Sequence, residues 1–126
     1  MFHNIPSSNE IITACIAAYE FVVVGQTMEA IEADMMGFYH KIINETQLRW
    51  LGPEKGVSQM ACGAILNAVW DLLSKMAGKP LWKYVADMEP EQLVECIDFK
   101  YVCGEDAEGE ERERMRREVG NENGMG

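Results

Sequence analysis

The sequence predicts a mainly α protein with one strand that has no partner and a disordered acidic tail. Three observations predict it. Apolar residues recur at steps of three and four between Ile11 and Met76, which gathers them on one side of a helix. The period changes to two in "ECIDFKYV", residues 95–102, the alternation expected of a strand. From Cys103 onward, "CGEDAEGEERERMRREVGNENGMG" keeps neither period.

The elements follow in order. "SSNE" predicts a helix start, because Ser7 or Ser8 can accept from a free N–H of the first turn and Glu10 suits the positive helix end. The apolar series Ile11, Ile12, Cys15, Ile16, Ala18, Tyr19, Val22, Val23 follows. Its end, "FVVVG", is β-branched and also reads as strand; we take it as a fraying helix end stopped by Gly25. Thr27 is a good N-cap for a second helix, whose face is Met28, Ile31, Met35, Phe38, Tyr39 and Ile42. Glu32, Asp34, His40 and Lys41 lie off that face.

The third helix, "VSQMACGAILNAVWDLLSKMAGKP", is expected to bury Val57, Met60, Ala61, Ala64, Ile65, Ala68, Leu72 and Met76. Its small residues Ala61, Gly63, Ala64 and Ala68 would admit a neighbouring backbone. Gly78 supplies a left-handed C-cap and Pro80 stops the helix from resuming. "PLWKYVA" reads as a short helical turn, and Glu89–Glu95 as another with Pro90 in its first turn. A lone strand over 96–102 cannot satisfy its own backbone groups. The tail, 103–126, is too polar to offset its ordering entropy. Glu–Arg pairs could form a transient helix in its middle, and an acidic interaction tail is the functional alternative.

Composition narrows the function. The chain has 126 residues, enough for one domain with a modest core. Its formal charge of −10 argues against nucleic acid and anionic membrane as partners. The N-terminus lacks a basic region ahead of an uninterrupted apolar run, and no apolar stretch is long enough to span a bilayer. The expected compartment is the cytoplasm. The four cysteines, Cys15, Cys62, Cys96 and Cys103, form no CxxC pair, and the histidines are His3 and His40, a poor zinc set. Two disulfides are one option; buried reduced thiols are the expected state, since Cys15 and Cys62 fall within helical apolar patterns.

No local motif carries chemistry. "QLRWLGPEKG", Gln47 to Gly56, gathers Arg49, Trp50 and Lys55 around two glycines and a proline. Its glycines are too close together for a phosphate-binding loop, and Val57 stands where that motif needs Lys and then Ser or Thr. Gly52-Pro53 instead reads as a turn, although Lys55 beside a helix start could attract an anion. Cys62 and His40 have no spacing that pairs them as nucleophile and base. Asp71, within an apolar helix, needs a partner, and Arg49 or Lys75 can supply a structural ion pair. Catalytic, cofactor-binding and metal residues are all expected to be none.

The stretch from "QLRWLGPEKG" through "AVWDLLSKMAGKPLW" to "ECIDFKYV" resembles the N-terminal part of L-fuconate dehydratases, of the mandelate racemase/muconate lactonizing enzyme branch of the enolase superfamily. "EADMMGFYHKIINE" resembles the same group less closely, and the resemblance runs from about Pro6 to Val102. It implies the helical part of an α+β cap over residues 1–95, the first barrel strand over 96–102 and an unrelated tail over 103–126. It also implies that the parent group eliminates water from an acid sugar, with a base removing the proton beside the carboxylate and Mg²⁺ stabilising the enediolate. The group's Lys-x-Lys base motif, its three acidic Mg²⁺ ligands and its catalytic His have no matching positions here. The implied role is a truncated cap without catalysis of its own. The implied partner is a full-length homologue or a barrel domain; the alternative is a helical protein-interaction module.

Overall fold

The computed structural model describes residues 6–52, 55–98 and 108–123. Among these the regular structure is helical, and the chain divides into two compact units, Met1–Gly78 and Lys79–Gly126.

The first unit opens with α1, Pro6–Ala18. The helix begins at Pro6, so Ser7 and Ser8 fall within its first turn; proline's fixed φ suits that opening position. The ladder breaks at Tyr19, whose N–H bonds Ile16 O at 3.1 Å, and one more turn follows as α2, Glu20–Val23. "FVVV" is therefore helix, ended by Gly25 at φ +91°, a conformation that a side chain would strain. Cys15, Tyr19 and Val22 are buried, whereas Ile11, expected on the same face, is exposed.

Thr27 caps α3, Met28–Ala33, by accepting from Ala30 N at 3.2 Å. The expected single second helix is then broken at Asp34, which adopts φ −144°, ψ 68° and accepts from Gly37 N at 2.9 Å. Asp34 thereby opens α4, Met35–Ile43. An aspartate can satisfy a free N–H from outside a helix, so it competes with helix continuation. The apolar face survives the break, with Ile31, Met35, Phe38 and Ile42 buried. Glu32, Asp34, His40 and Lys41 are exposed, as their positions off that face predict.

A 3₁₀ turn, Arg49–Leu51, leads to α5, Val57–Met76, the longest helix described. The contacts of α5 run along α1 and α4. Its buried side is Ser58, Ala61, Cys62, Ile65, Val69, Leu73 and Ser74. The expected stripe is thus displaced by one residue, about 100° around the helix. Of the expected positions only Ala61 and Ile65 are buried; Leu72 is 44% and Met76 59% exposed. Both stripes of this helix are apolar, and the one turned inward has the bulkier Ile65, Val69 and Leu73 against Ala64, Ala68 and Leu72. Each fully buried aliphatic side chain contributes about 1.5–3 kcal/mol, which favours the heavier stripe. Ala61 is fully buried, but Ala64 and Ala68 are exposed and a Cβ on Gly63 would meet nothing within 4 Å. Close approach therefore rests on Ala61 rather than on the whole set of small residues.

Gly78 ends α5 as expected, at φ +68° with its N–H bonded to Lys75 O at 3.0 Å. In the second unit, Pro80 precedes α6, Leu81–Ala86, and Glu89 precedes α7, Pro90–Glu95. Gln92 Oε1 accepts from Glu89 N at 3.3 Å, closing the first turn of α7. Asp87 joins Lys79 at 2.7 Å and Lys83 at 2.8 Å, and these two cations hold its carboxyl below the ordinary value of 3.8.

The strand expectation fails where it is observable. Cys96 caps α7, with its N–H bonded to Leu93 O and that of Ile97 to Val94 O. Ile97 and Asp98 join no strand; helical bonding continues past α7 and uses the backbone groups a strand would need. The rest of that expectation, 99–102, lies outside the described residues. The expected disordered tail differs too: Glu108–Asn123 forms a helix, α8. Arg114 pairs with Glu111 and Glu118, and Arg117 with Glu113, at i±3 and i±4 spacing. Arg116 reaches Glu95 of α7 at 3.3 Å. The Glu–Arg pairs that could support only a transient helix by sequence gain a tertiary contact here. Residues 103–107 and 124–126 lie outside the described set.

Candidate functional site

Of the loop singled out by sequence, the described residues 47–52 and 55–56 are held by hydrogen bonds on either side. The Glu45 carboxylate accepts from Gln47 N and Leu48 N, each at 2.7 Å, and Arg49 N bonds Glu45 O at 3.1 Å. This anchors the 3₁₀ turn that presents Trp50, 74% exposed, and the exposed Leu51. On the far side of the loop, Lys55 N donates to Gln59 Oε1 at 2.9 Å, with Lys55 at φ +67°. The two sides meet: a Cβ on Gly52 would lie 3.4 Å from Val57 N and 3.7 Å from Gly56 Cα. Pro53, half of the expected turn dipeptide, lies outside the described residues.

A second cluster, not anticipated as a unit, is buried between α1 and α5. Cys15, Tyr19 and Cys62 are each at most 5% exposed, and Tyr19 is fully buried. Burial is the first cause that pushes both thiols above their usual 9.0; burial first, and the Cys62 thiol second, push the Tyr19 phenol well above 10.0. The Tyr19 hydroxyl makes no hydrogen bond of good geometry among the described residues, and the Cys62 thiol is the side chain that acts on it most strongly. Such thiols are poor nucleophiles at neutral pH. Cys15 and Tyr19 stand four apart in one apolar series, which sequence could register. That Cys62 joins them depends on which stripe of α5 faces inward.

The remaining candidates disperse. Cys15, Cys62 and Cys96 are free thiols; Cys103 lies outside the described residues. His40 is exposed and tilts against the Tyr39 ring, 5.5 Å between centroids. Asp71 finds Lys75 at 2.6 Å, the ion pair expected of it, but on the solvent side of α5. One shallow groove is lined by Ala17, Phe21 and Val24 and another by Gln26, Phe38 and Lys41. Among the described residues no three His, Cys, Asp or Glu side chains are placed to hold a metal ion, and no helix is long and apolar enough to cross a membrane.

This architecture matches the helical part of an enolase-superfamily protein. The crystal structure of human mitochondrial enolase superfamily member 1 superposes with a TM-score of 0.70 at 43% identity, over 80% of this chain and 24% of that one. By sequence the chain is 46% identical over 93 residues to the Homo sapiens protein of that name, covering 74% of this chain and 21% of the relative. It is 44% identical over 102 residues to L-galactonate dehydratase of Hypocrea jecorina, covering 81% and 23% respectively. No protein-family model matches the chain. The chain therefore spans between a fifth and a quarter of the length of the relatives it matches, and its mainly helical fold is consistent with the helical part of their N-terminal cap.

Proposed function

We propose that these 126 residues are the helical portion of the N-terminal cap of an acid-sugar dehydratase-like protein, and that as they stand they do not catalyse the reaction. One observation carries this reading. Identity of 44–46% extends over most of this chain but over only 21–23% of the relatives. The sequence resemblance favours L-fuconate as the parent's substrate, and the name of the Hypocrea jecorina relative points to a neighbouring acid sugar. Either reaction removes water across the carbon bearing the carboxylate and its neighbour. The resemblance also implies Mg²⁺, which would stabilise the charge on the intermediate. The described residues do not fit that ion, because no acidic cluster of the required size forms among them.

The test is turnover. The purified chain, incubated with L-fuconate or L-galactonate and Mg²⁺, should yield no 2-oxo acid product. Product that survives repurification and scales with chain concentration would overturn the reading.

The exposed side chains Ile11, Phe21, Leu72 and Met76 favour a second reading, a helical module that binds a full-length homologue or another protein. Stoichiometric co-purification supports it, and a monodisperse monomer that never associates counts against it. Nucleic acid and membrane are not proposed as partners, given the charge of −10. For the compartment we keep the cytoplasm, against the mitochondrial name of several relatives; fractionation of cells expressing the tagged chain decides.

A further inference from the structure

We infer that the groove between α3 and α4 binds a small apolar α-amino acid as its zwitterion, Asp34 taking the ammonium, Lys41 the carboxylate, and Ile31 with Phe38 the side chain. The groove lies along the break at Asp34 and has a volume of about 240 Å³. Sites for drug-sized molecules run to roughly 300–1,000 Å³, so this one suits a smaller metabolite. Its floor is the buried Ile31 and Phe38, and its rim carries Gln26, Asp34 and Lys41. An apolar floor beneath a few polar groups is the usual composition of a ligand site.

The charges suit a molecule with two opposite ends. Asp34, Gly37 and Lys41 stand at steps of three and four, along one side of α4 and its cap. Asp34 Oδ1 accepts from Gly37 N at 2.9 Å, and Oδ2 accepts nothing among the described residues. Gly37 leaves the space between acid and base open, because a Cβ there would collide with the Asp34 carboxylate. A long side chain on a helix leans over the turn before it, which brings the Lys41 ammonium toward the groove that it lines. Asp34 and Lys41 nevertheless form no ion pair, with each other or with another described residue. The other carboxylates nearby in sequence are Glu29, Glu32 and Glu45. None of them lines the groove, and Glu45 is engaged by Gln47 N and Leu48 N. A separate acid and base over one apolar floor match a molecule that carries both charges and an apolar side chain. Both groups are exposed, which sets the affinity at about 1–10 mM. This inference goes beyond the family reading and does not depend on the parent's reaction. Turnover in the preceding test would leave it standing, and its own failure would leave the cap reading intact.

The experiment titrates L-leucine into the full, isotope-labelled chain and follows amide and methyl resonances by NMR. L-leucinamide, which lacks the carboxylate, and 4-methylpentanoate, which lacks the ammonium, are run as separate arms. The expected result is saturable shifts at Ile31, Gly37 and Phe38 with L-leucine, and binding of both analogues about tenfold weaker. Asp34→Asn keeps a side-chain oxygen to cap Gly37 N, so its melting temperature should hold. In that variant L-leucine should bind no better than 4-methylpentanoate. Lys41→Gln exchanges one good helix former for another at an exposed position. It should erase the preference for L-leucine over L-leucinamide, which a merely structural role would not do. No saturable shift, shifts centred away from these residues, either analogue binding as tightly as L-leucine, or variants that keep the parent's preferences would each overturn the inference.

Discussion

The Tyr19 hydroxyl is a polar group sealed in the core without a hydrogen bond among the described residues. Leaving such a group unpaired costs about 1–3 kcal/mol, so Tyr19→Phe, which keeps the ring, should be neutral or stabilising. A urea midpoint lowered by this change would show that the hydroxyl does have a partner. The same cluster sets a pH dependence. Cys15 and Cys62 hold their protons more tightly in the folded chain than their ordinary 9.0 allows, and Tyr19 more tightly than 10.0. Deprotonation therefore favours the unfolded state: this contribution is complete below 9.0 and is lost as pH rises through the raised folded values. The urea midpoint should fall between about pH 7.5 and about pH 10.5, and Cys62→Ala should flatten that fall even while lowering both midpoints. A wild-type midpoint unchanged over that interval would refute the linkage.

At the scale of the element, α5 decides how the first unit packs. Leu73 is 3% exposed and Leu72 44%, although adjacent in a sequence where both stripes are apolar. Leu73→Ala should cost about 2–5 kcal/mol, whereas Leu72→Gln should stay within about 0.5 kcal/mol. Chemical denaturation of the two variants separates them, and the reverse order would restore the stripe that periodicity predicts. This neighbouring pair shows where the sequence is legible and where it is not. Caps and stops are local chemistry, so Thr27, Gly78 and Pro90 could be placed without a structure. The choice between two apolar stripes depends on which neighbours are present, and periodicity alone does not contain them. Asp34 was missed for a related reason: it sits off the apolar face, and its capping of Gly37 N leaves that face in register. The residues of "QLRWLGPEKG" are visible as a cluster in the sequence, but the exposure of Trp50 and Leu51 and the anchoring by Glu45 and Gln59 arise from backbone geometry.

At the scale of the molecule, the chain carries a charge of −10 together with exposed Phe21, Val24, Met76 and Trp82. These have opposite effects: like charge keeps copies apart, while apolar side chains in water favour any surface that covers them. The consequence is measurable on the folded chain. It should bind the dye ANS under native conditions while keeping a cooperative urea transition, which separates it from a molten globule, where dye binding accompanies lost tertiary packing. Phe21→Lys and Met76→Lys, both at exposed positions, should together lower dye fluorescence and leave the transition midpoint within about 0.5 kcal/mol of the parent. Raising NaCl should promote association of the parent chain by screening its charge, and should do so less for the double variant. Dye binding unchanged by the two substitutions would place the exposed apolar surface elsewhere, and its disappearance together with the cooperative transition would mean that these side chains belong to the core.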